Sequence, residues 1–193
     1  MIDPEGFERL YRADPDPFRV ATSWYERRKQ AALVAALTQE RYPLVWDCAA
    51  GTGLLALALL TNERCERLLA TDASPTAVRL TAQLLEDLPG AHSVESTLPS
   101  IPEAARAADL TIAAEVLYYL ADGPRCEAMQ ALARQHGELV SVHWRHHPDD
   151  AHLSGVEVTA ELDDTLRWSG CTRSVHQEDT DFVLAGCVAG TAR

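Results

Sequence analysis

Asp47, Gly51, Gly53 and Asp72 are the residues whose types and spacing point most directly to chemistry. The run Val45-Trp46-Asp47-Cys48-Ala49-Ala50-Gly51-Thr52-Gly53 passes from strand-like residues through an acid into a cluster of small ones, and an apolar, helix-like tail follows from Leu54 to Leu60. A glycine turn between a strand and a helix lets a ligand approach the backbone and offers it the unpaired N–H groups of a helix start. Asp72 lies nineteen residues beyond Gly53, at the end of the strand-like CERLLATD, where a carboxylate can accept both hydroxyls of a ribose. Together these residues outline an adenosine site.

Two cofactor classes compete for such a site. Gly51 to Ala56 matches the dinucleotide pattern GxGxxG/A, and with Asp72 it suits NAD. Asp47 argues the other way, because an acid beside the turn repels a pyrophosphate and attracts the ammonium of a methionine moiety. S-adenosylmethionine answers both acids and carries no phosphate. The chain also leaves little room for the substrate domain that most NAD-dependent dehydrogenases carry.

Methyl transfer from a sulfonium is an in-line displacement, so most of its catalysis is alignment and exclusion of water. A base is needed only when the acceptor arrives protonated. Glu115, after the strand-like DLTIAA, can position or deprotonate an ammonium, and His143, at the end of ELVSV, is a second proton acceptor. Tyr118, Tyr119, Trp24, Tyr25 and Trp144 offer flat surfaces on which a sugar can rest, and Arg145 and His146 can meet acceptor hydroxyls. The stretch HWRHHPDDAH gathers metal-ligand types, but on a loop without a rigid i, i+4 scaffold, and no metal is expected there.

These side chains need a sheet to hold them. Thr22 or Ser23 can cap a helix through WYERRKQAALVAAL, after an acidic, proline-rich opening. Strands at LVWDC, CERLLATD, HSVES, the first half of DLTIAAEVLYYL and ELVSVHW then alternate with helices at 54–60, SPTAVRLTAQLLEDL and PRCEAMQALARQHG. A helix near 155–168 and two strands, TRSVHQED and DFVLAGCV, complete the chain. This order predicts an α/β fold: a Rossmann-like three-layer sandwich with a mostly parallel seven-stranded sheet and an antiparallel edge hairpin.

Composition narrows the partners. A net charge of −12 works against nucleic acid and anionic membrane, no apolar run is long enough to span a bilayer, and the opening residues do not read as a secretory signal. Five cysteines, odd in number and without a CxxC pair, indicate neither a zinc site nor a disulfide framework. A cytoplasmic protein with a small-molecule acceptor is expected.

The run DCAAGTG resembles the first motif of class I S-adenosylmethionine-dependent methyltransferases, with Ala49 where that family often has its first glycine. Asp72 in LLATDASPTAV is similar to the ribose-binding acid of the second motif, and DLTIAAEVLYYL to the fourth. DPDPF, TSWYERRKQAAL, EVLYYL and VHWRHHPDD followed by LSGVEV resemble the NodS-type subgroup, whose namesake N-methylates the free amine of a de-N-acetylated chitooligosaccharide. The resemblance covers about residues 7 to 188. It implies one methyltransferase domain over 1–193, with lid helices in 1–40 and a Rossmann-like core in 41–193. It also implies cofactor contacts from Tyr25, Arg28, Asp47, Ala49, Gly51, Gly53, Asp72, Ala73 and Glu115. The family's third motif often carries an acid near the adenine, and Ser96 and Thr97 stand there instead. An amine acceptor, such as an amino sugar, is the first expectation. An O-methyltransferase, a non-catalytic S-adenosylmethionine-binding module and an NAD-dependent enzyme are the alternatives.

Overall fold

The computed structural model describes residues 1–190. Seven strands form one sheet: β1 (Tyr42–Asp47), β2 (Cys65–Asp72), β3 (Ala91–Glu95), β4 (Leu110–Ala114), β5 (Glu138–Trp144), β6 (Thr172–Glu178) and β7 (Phe182–Val188). Their order is β3-β2-β1-β4-β5-β7-β6. The first five run parallel, and β7 pairs antiparallel with both β5 and β6. The order reverses direction between β1 and β4, so the carboxyl ends of these two strands flank the crevice in which such sheets bind ligands.

Six helices cover the sheet: α1 (Pro4–Ala13), α2 (Trp24–Ala36), α3 (Leu54–Thr61), α4 (Pro75–Leu84), α5 (Asp122–Ala133) and α6 (Gly155–Trp168). The period-two alternation of β1 divides the core. Leu44 and Trp46 pack with Met129 of α5 and Leu162 of α6, whereas Val45 packs on the opposite face with Leu33 of α2 and Leu59 of α3. The central strands β4 and β5 are buried along almost their whole length, as helices on both faces of the sheet require.

Helix starts follow local chemistry. The Ser74 hydroxyl accepts the Ala77 N–H ahead of Pro75 at the head of α4, and Ser154 with Glu157 forms a capping box on α6. The acidic opening, placed within the lid helices of 1–40, holds α1: the Asp3 carboxylate accepts the Gly6 N–H at 2.7 Å, and Pro4 occupies the first helical position. Helix α5 ends at Ala133, four residues before Gly137, which takes a left-handed turn into β5. Among the described residues no helix is long and apolar enough to cross a membrane.

Candidate active site

The glycine turn links β1 to α3. Gly51 has φ of 56°; its N–H donates to Asp72 Oδ2 at 2.9 Å, and its carbonyl accepts the Thr81 hydroxyl at 2.8 Å. A Cβ on Gly51 would lie 2.8 Å from the Tyr11 hydroxyl oxygen of α1, so α1 seals the turn from above. Gly53, with φ of 79°, caps α3, and a Cβ there would strike Thr81 of α4 at 2.7 Å. It allows close packing of α3 on α4 and does not line the cavity described below. Asp72 holds the other end of the turn: its Oδ1 accepts the Ser74 N–H at 2.9 Å. At the same helix start, α1 is docked by Glu8, which accepts hydrogen bonds from the Ser74 hydroxyl and from the amide and hydroxyl of Thr76. Those three donors, the Ser74 hydroxyl foremost, pull the Glu8 carboxyl down to about 2.

A cavity of about 470 Å³ opens over the carboxyl ends of the strands. One half is walled by Asp47, Ala49, Gly51, Asp72, Ala73, Ser96 and Thr97, from the ends of β1, β2 and β3. The other half is walled by Tyr25, Glu26 and Lys29 of α2, Glu115, Tyr118 and Tyr119 beyond β4, and Trp144 at the end of β5. Asp47 is 1% exposed, and neither of its carboxylate oxygens has a protein partner. Burial, with the negative charge of Asp72 behind it, pushes its carboxyl up to about 7. A buried, unpartnered carboxylate is expensive, and an ammonium arriving beside it relieves that cost.

Glu115 is the hub of the second half. Its backbone is left-handed, at φ of 52°, a strained conformation for a residue with a side chain. Tyr25 Oη donates to Oε1 at 2.8 Å and Lys29 Nζ at 2.5 Å, while the Tyr118 hydroxyl and the Trp144 N–H, the latter at 2.8 Å, donate to Oε2. Burial works to raise this carboxyl, but the Lys29 ammonium and the donors around it prevail and hold it below the ordinary glutamate value. Lys29 is 4% exposed, also donates to Glu26 Oε1 at 2.8 Å, and sits 4.7 Å from the centre of the Tyr25 ring. Glu26 and Lys29 are functional candidates that sequence reasoning missed. In WYERRKQ they look like charges on a solvated helix face, yet α2 turns them inward and leaves Trp24 69% exposed.

The remaining expected residues lie elsewhere. Arg28, expected at the cofactor, points from α2 to the β6–β7 turn, where it pairs with Asp179 at 2.7 Å and with Asp181. Lys29, one residue on, is the single cation lining the cavity among the described residues. His143, expected as a proton acceptor, is fully buried behind the site and does not line the cavity. Its Nε2 accepts the Leu117 N–H at 3.3 Å, and burial pushes its imidazole down to about 4, against a smaller opposing pull from Glu115. It is therefore neutral at physiological pH and shielded from any acceptor. Arg145 faces Glu178 at 3.0 Å, and exposed His146 packs against Trp144 with ring centres 5.0 Å apart; neither lines the cavity. In the loop beyond, His147 hydrogen-bonds the Ala151 carbonyl at 3.1 Å.

The family described as "Methyltransferase domain" matches residues 46–141, from the end of β1 through most of β5. No curated protein matches the chain in sequence. Among solved structures, a presumed methyltransferase from Pseudomonas syringae is 32% identical, with 86% of this chain and 99% of that one covered and a TM-score of 0.71. The N-methyltransferase NodS from Bradyrhizobium japonicum WM9, in complex with S-adenosyl-L-homocysteine, is 21% identical over 95% of this chain and 96% of that one, with a TM-score of 0.78. A Haloferax volcanii methyltransferase solved with its Trm112 activator is 17% identical over 99% and 100%, with a TM-score of 0.75. Identity of this level along nearly the whole Pseudomonas protein, joined to a family match across the cofactor half of the sheet, makes the chain a member of the class I S-adenosylmethionine-dependent methyltransferases.

Proposed function

We propose that this enzyme N-methylates a small-molecule amine, with the free amine of an amino sugar or a short oligosaccharide as the first candidate, in the manner of the NodS-type subgroup. The charge of the cavity carries the reading. Asp3, Asp16, Glu26, Asp47, Asp72 and Glu115 line it against the one lysine. Two of these acids belong to the cofactor half, which leaves an excess of negative charge facing the acceptor. Such a cavity concentrates a cation and disfavours an anionic acceptor.

S-adenosylmethionine, when bound, supplies an electrophilic methyl group. Asp47 would hold its ammonium, Asp72 its ribose hydroxyls, and Ser96 and Thr97 would lie toward its adenine. The unpartnered oxygens of Asp47 and the bracing of Asp72 by two backbone N–H groups fit those tasks. Glu115, fixed by its four donors, orients the acceptor through its charge. Tyr118, Tyr119 and Trp144 give the acceptor flat walls. Residues 1–40 act as the lid of a single domain spanning 1–193, with α1 latched by Glu8 and Tyr25 closing over the site.

Transfer of labelled methyl to a de-N-acetylated chitooligosaccharide, its fully acetylated counterpart and simple amino sugars tests the reading. Binding of S-adenosylhomocysteine is followed by calorimetry in the same preparation. Methylation of free-amine sugars alone supports it. Methylation of the acetylated sugar at equal rate, or transfer only to hydroxyl acceptors, overturns it.

A further inference from the structure

Removing a proton from a substrate ammonium requires a carboxylate with room for that proton. Glu115 has little, since four donors already occupy its oxygens. Glu26 differs in three respects. It lines the same cavity, it is 8% exposed, and it accepts one hydrogen bond, from Lys29 to Oε1 at 2.8 Å; no described donor reaches its Oε2. That oxygen is left without a described hydrogen-bond partner on a residue that lines the cavity.

We propose that Glu26 is the proton acceptor for the substrate ammonium, an inference that rests on the amine reading above. One N–H bond of the ammonium breaks, its electron pair stays on nitrogen, and the proton joins Glu26 Oε2. The products are a neutral, nucleophilic amine and a neutral carboxyl group, which returns the proton to water afterwards. Lys29 stays between Glu26 and Glu115, so the positive charge needed to hold both acids near one another is supplied by the chain.

The surroundings of Glu26 suit this role. Lys29 faces it from the same helix, Glu115 from the end of β4, and Asp16 from the loop before α2. Burial raises its carboxyl above the ordinary value, Lys29 opposes that rise, and the two other acids reinforce it. A base shifted toward neutrality removes protons at physiological pH more effectively than one held low, as Glu115 is.

The test compares wild type, Glu26→Gln and Glu26→Asp on the amine panel from about pH 6 to about pH 9, with S-adenosylhomocysteine affinity measured for each. Glu26→Gln is expected to lose about 100-fold or more in kcat at neutral pH, with KM and S-adenosylhomocysteine affinity within about threefold of wild type. The loss should shrink as rising pH delivers the free amine from solution, and Glu26→Asp should recover part of the rate. A Glu26→Gln enzyme with wild-type kcat and pH profile overturns the inference while leaving the amine reading intact. So does one whose S-adenosylhomocysteine affinity falls in step with its rate. Failure of wild type to methylate any amine ends the amine reading, and this inference with it. A measurement on wild type alone needs no acceptor: carbon-13 carboxyl titration with S-adenosylhomocysteine bound should show Glu26 raised, and an ordinary or lowered value refutes the assignment.

Discussion

Replacing Lys29 with methionine should destabilise the protein by about 3–5 kcal/mol near pH 8, the usual cost of removing one partner from a buried ion pair. Glu26 Oε1 and Glu115 Oε1 both touch Lys29 Nζ, at 2.8 and 2.5 Å, and so lie at most about 5 Å apart. Without the ammonium these two charges repel by about 3 kcal/mol at an effective dielectric constant of ~20, before any desolvation cost is added. In a chain of 193 residues each kcal/mol corresponds to about 2–4 °C, so Tm should fall by about 6–20 °C. The sign with pH follows from linkage. In the variant both carboxyls titrate above their unfolded values, so the folded state binds more protons in that window and the deficit shrinks as pH falls through it. Urea denaturation of both proteins at about pH 8 and about pH 5 reads this directly. A deficit under about 1 kcal/mol, or one unchanged between the two conditions, refutes the view that Lys29 neutralises a buried acid pair.

Three further outcomes are expected. Asp47→Asn should weaken S-adenosylhomocysteine binding by about 10–150-fold in calorimetry, the loss of a charged hydrogen bond. Because the Asp47 carboxyl is raised to about 7, ligand-free wild type should lose stability as pH rises from about 4 to about 7, and the variant should escape that loss. Gly51→Ala combines a left-handed backbone with a contact 2.8 Å from the Tyr11 hydroxyl, so it should cost more than about 1 kcal/mol in urea denaturation; adding Tyr11→Phe should recover only the steric part. His143→Leu should leave the pH profile of methyl transfer above about pH 5 unmoved while costing about 1–3 kcal/mol of stability, since the Leu117 N–H loses its acceptor.

The sheet was legible because its strands obey local rules. CERLLATD and ELVSVHW coincide with β2 and β5 residue for residue, and the serine–proline pair at 74–75 marks the head of α4 as capping chemistry requires. Asp47, Gly51 and Asp72 could be expected around one cavity, as they are, because strand ends and a glycine turn stand in a known relation to the sheet. Helix α1 carries its own start signal in Asp3, Pro4 and Glu5. The pairing of Lys29 with Glu115 could not be read locally. Which face of α2 turns inward is decided by a carboxylate 86 residues away, and the result buries charge while exposing Trp24. His143 failed for a related reason: a strand-end position does not reveal whether a side chain opens to the crevice or lies behind it.

The anchoring of α2 bears on how the chain acquires its structure. Arg28 is held by Asp179 and Asp181, 151 and 153 residues later, and Arg145 N–H by the Asp181 carbonyl. Strand β7, the last in sequence among the described residues, inserts between β5 and β6 instead of adding at the edge. A chain emerging from the ribosome can therefore assemble β1 to β5 early, but it must hold α2 without its Arg28 anchor until the β6–β7 hairpin is synthesised. The wall carrying Tyr25, Glu26 and Lys29 can dock on Glu115 before then, but the helix that bears it gains its second tether only with the hairpin.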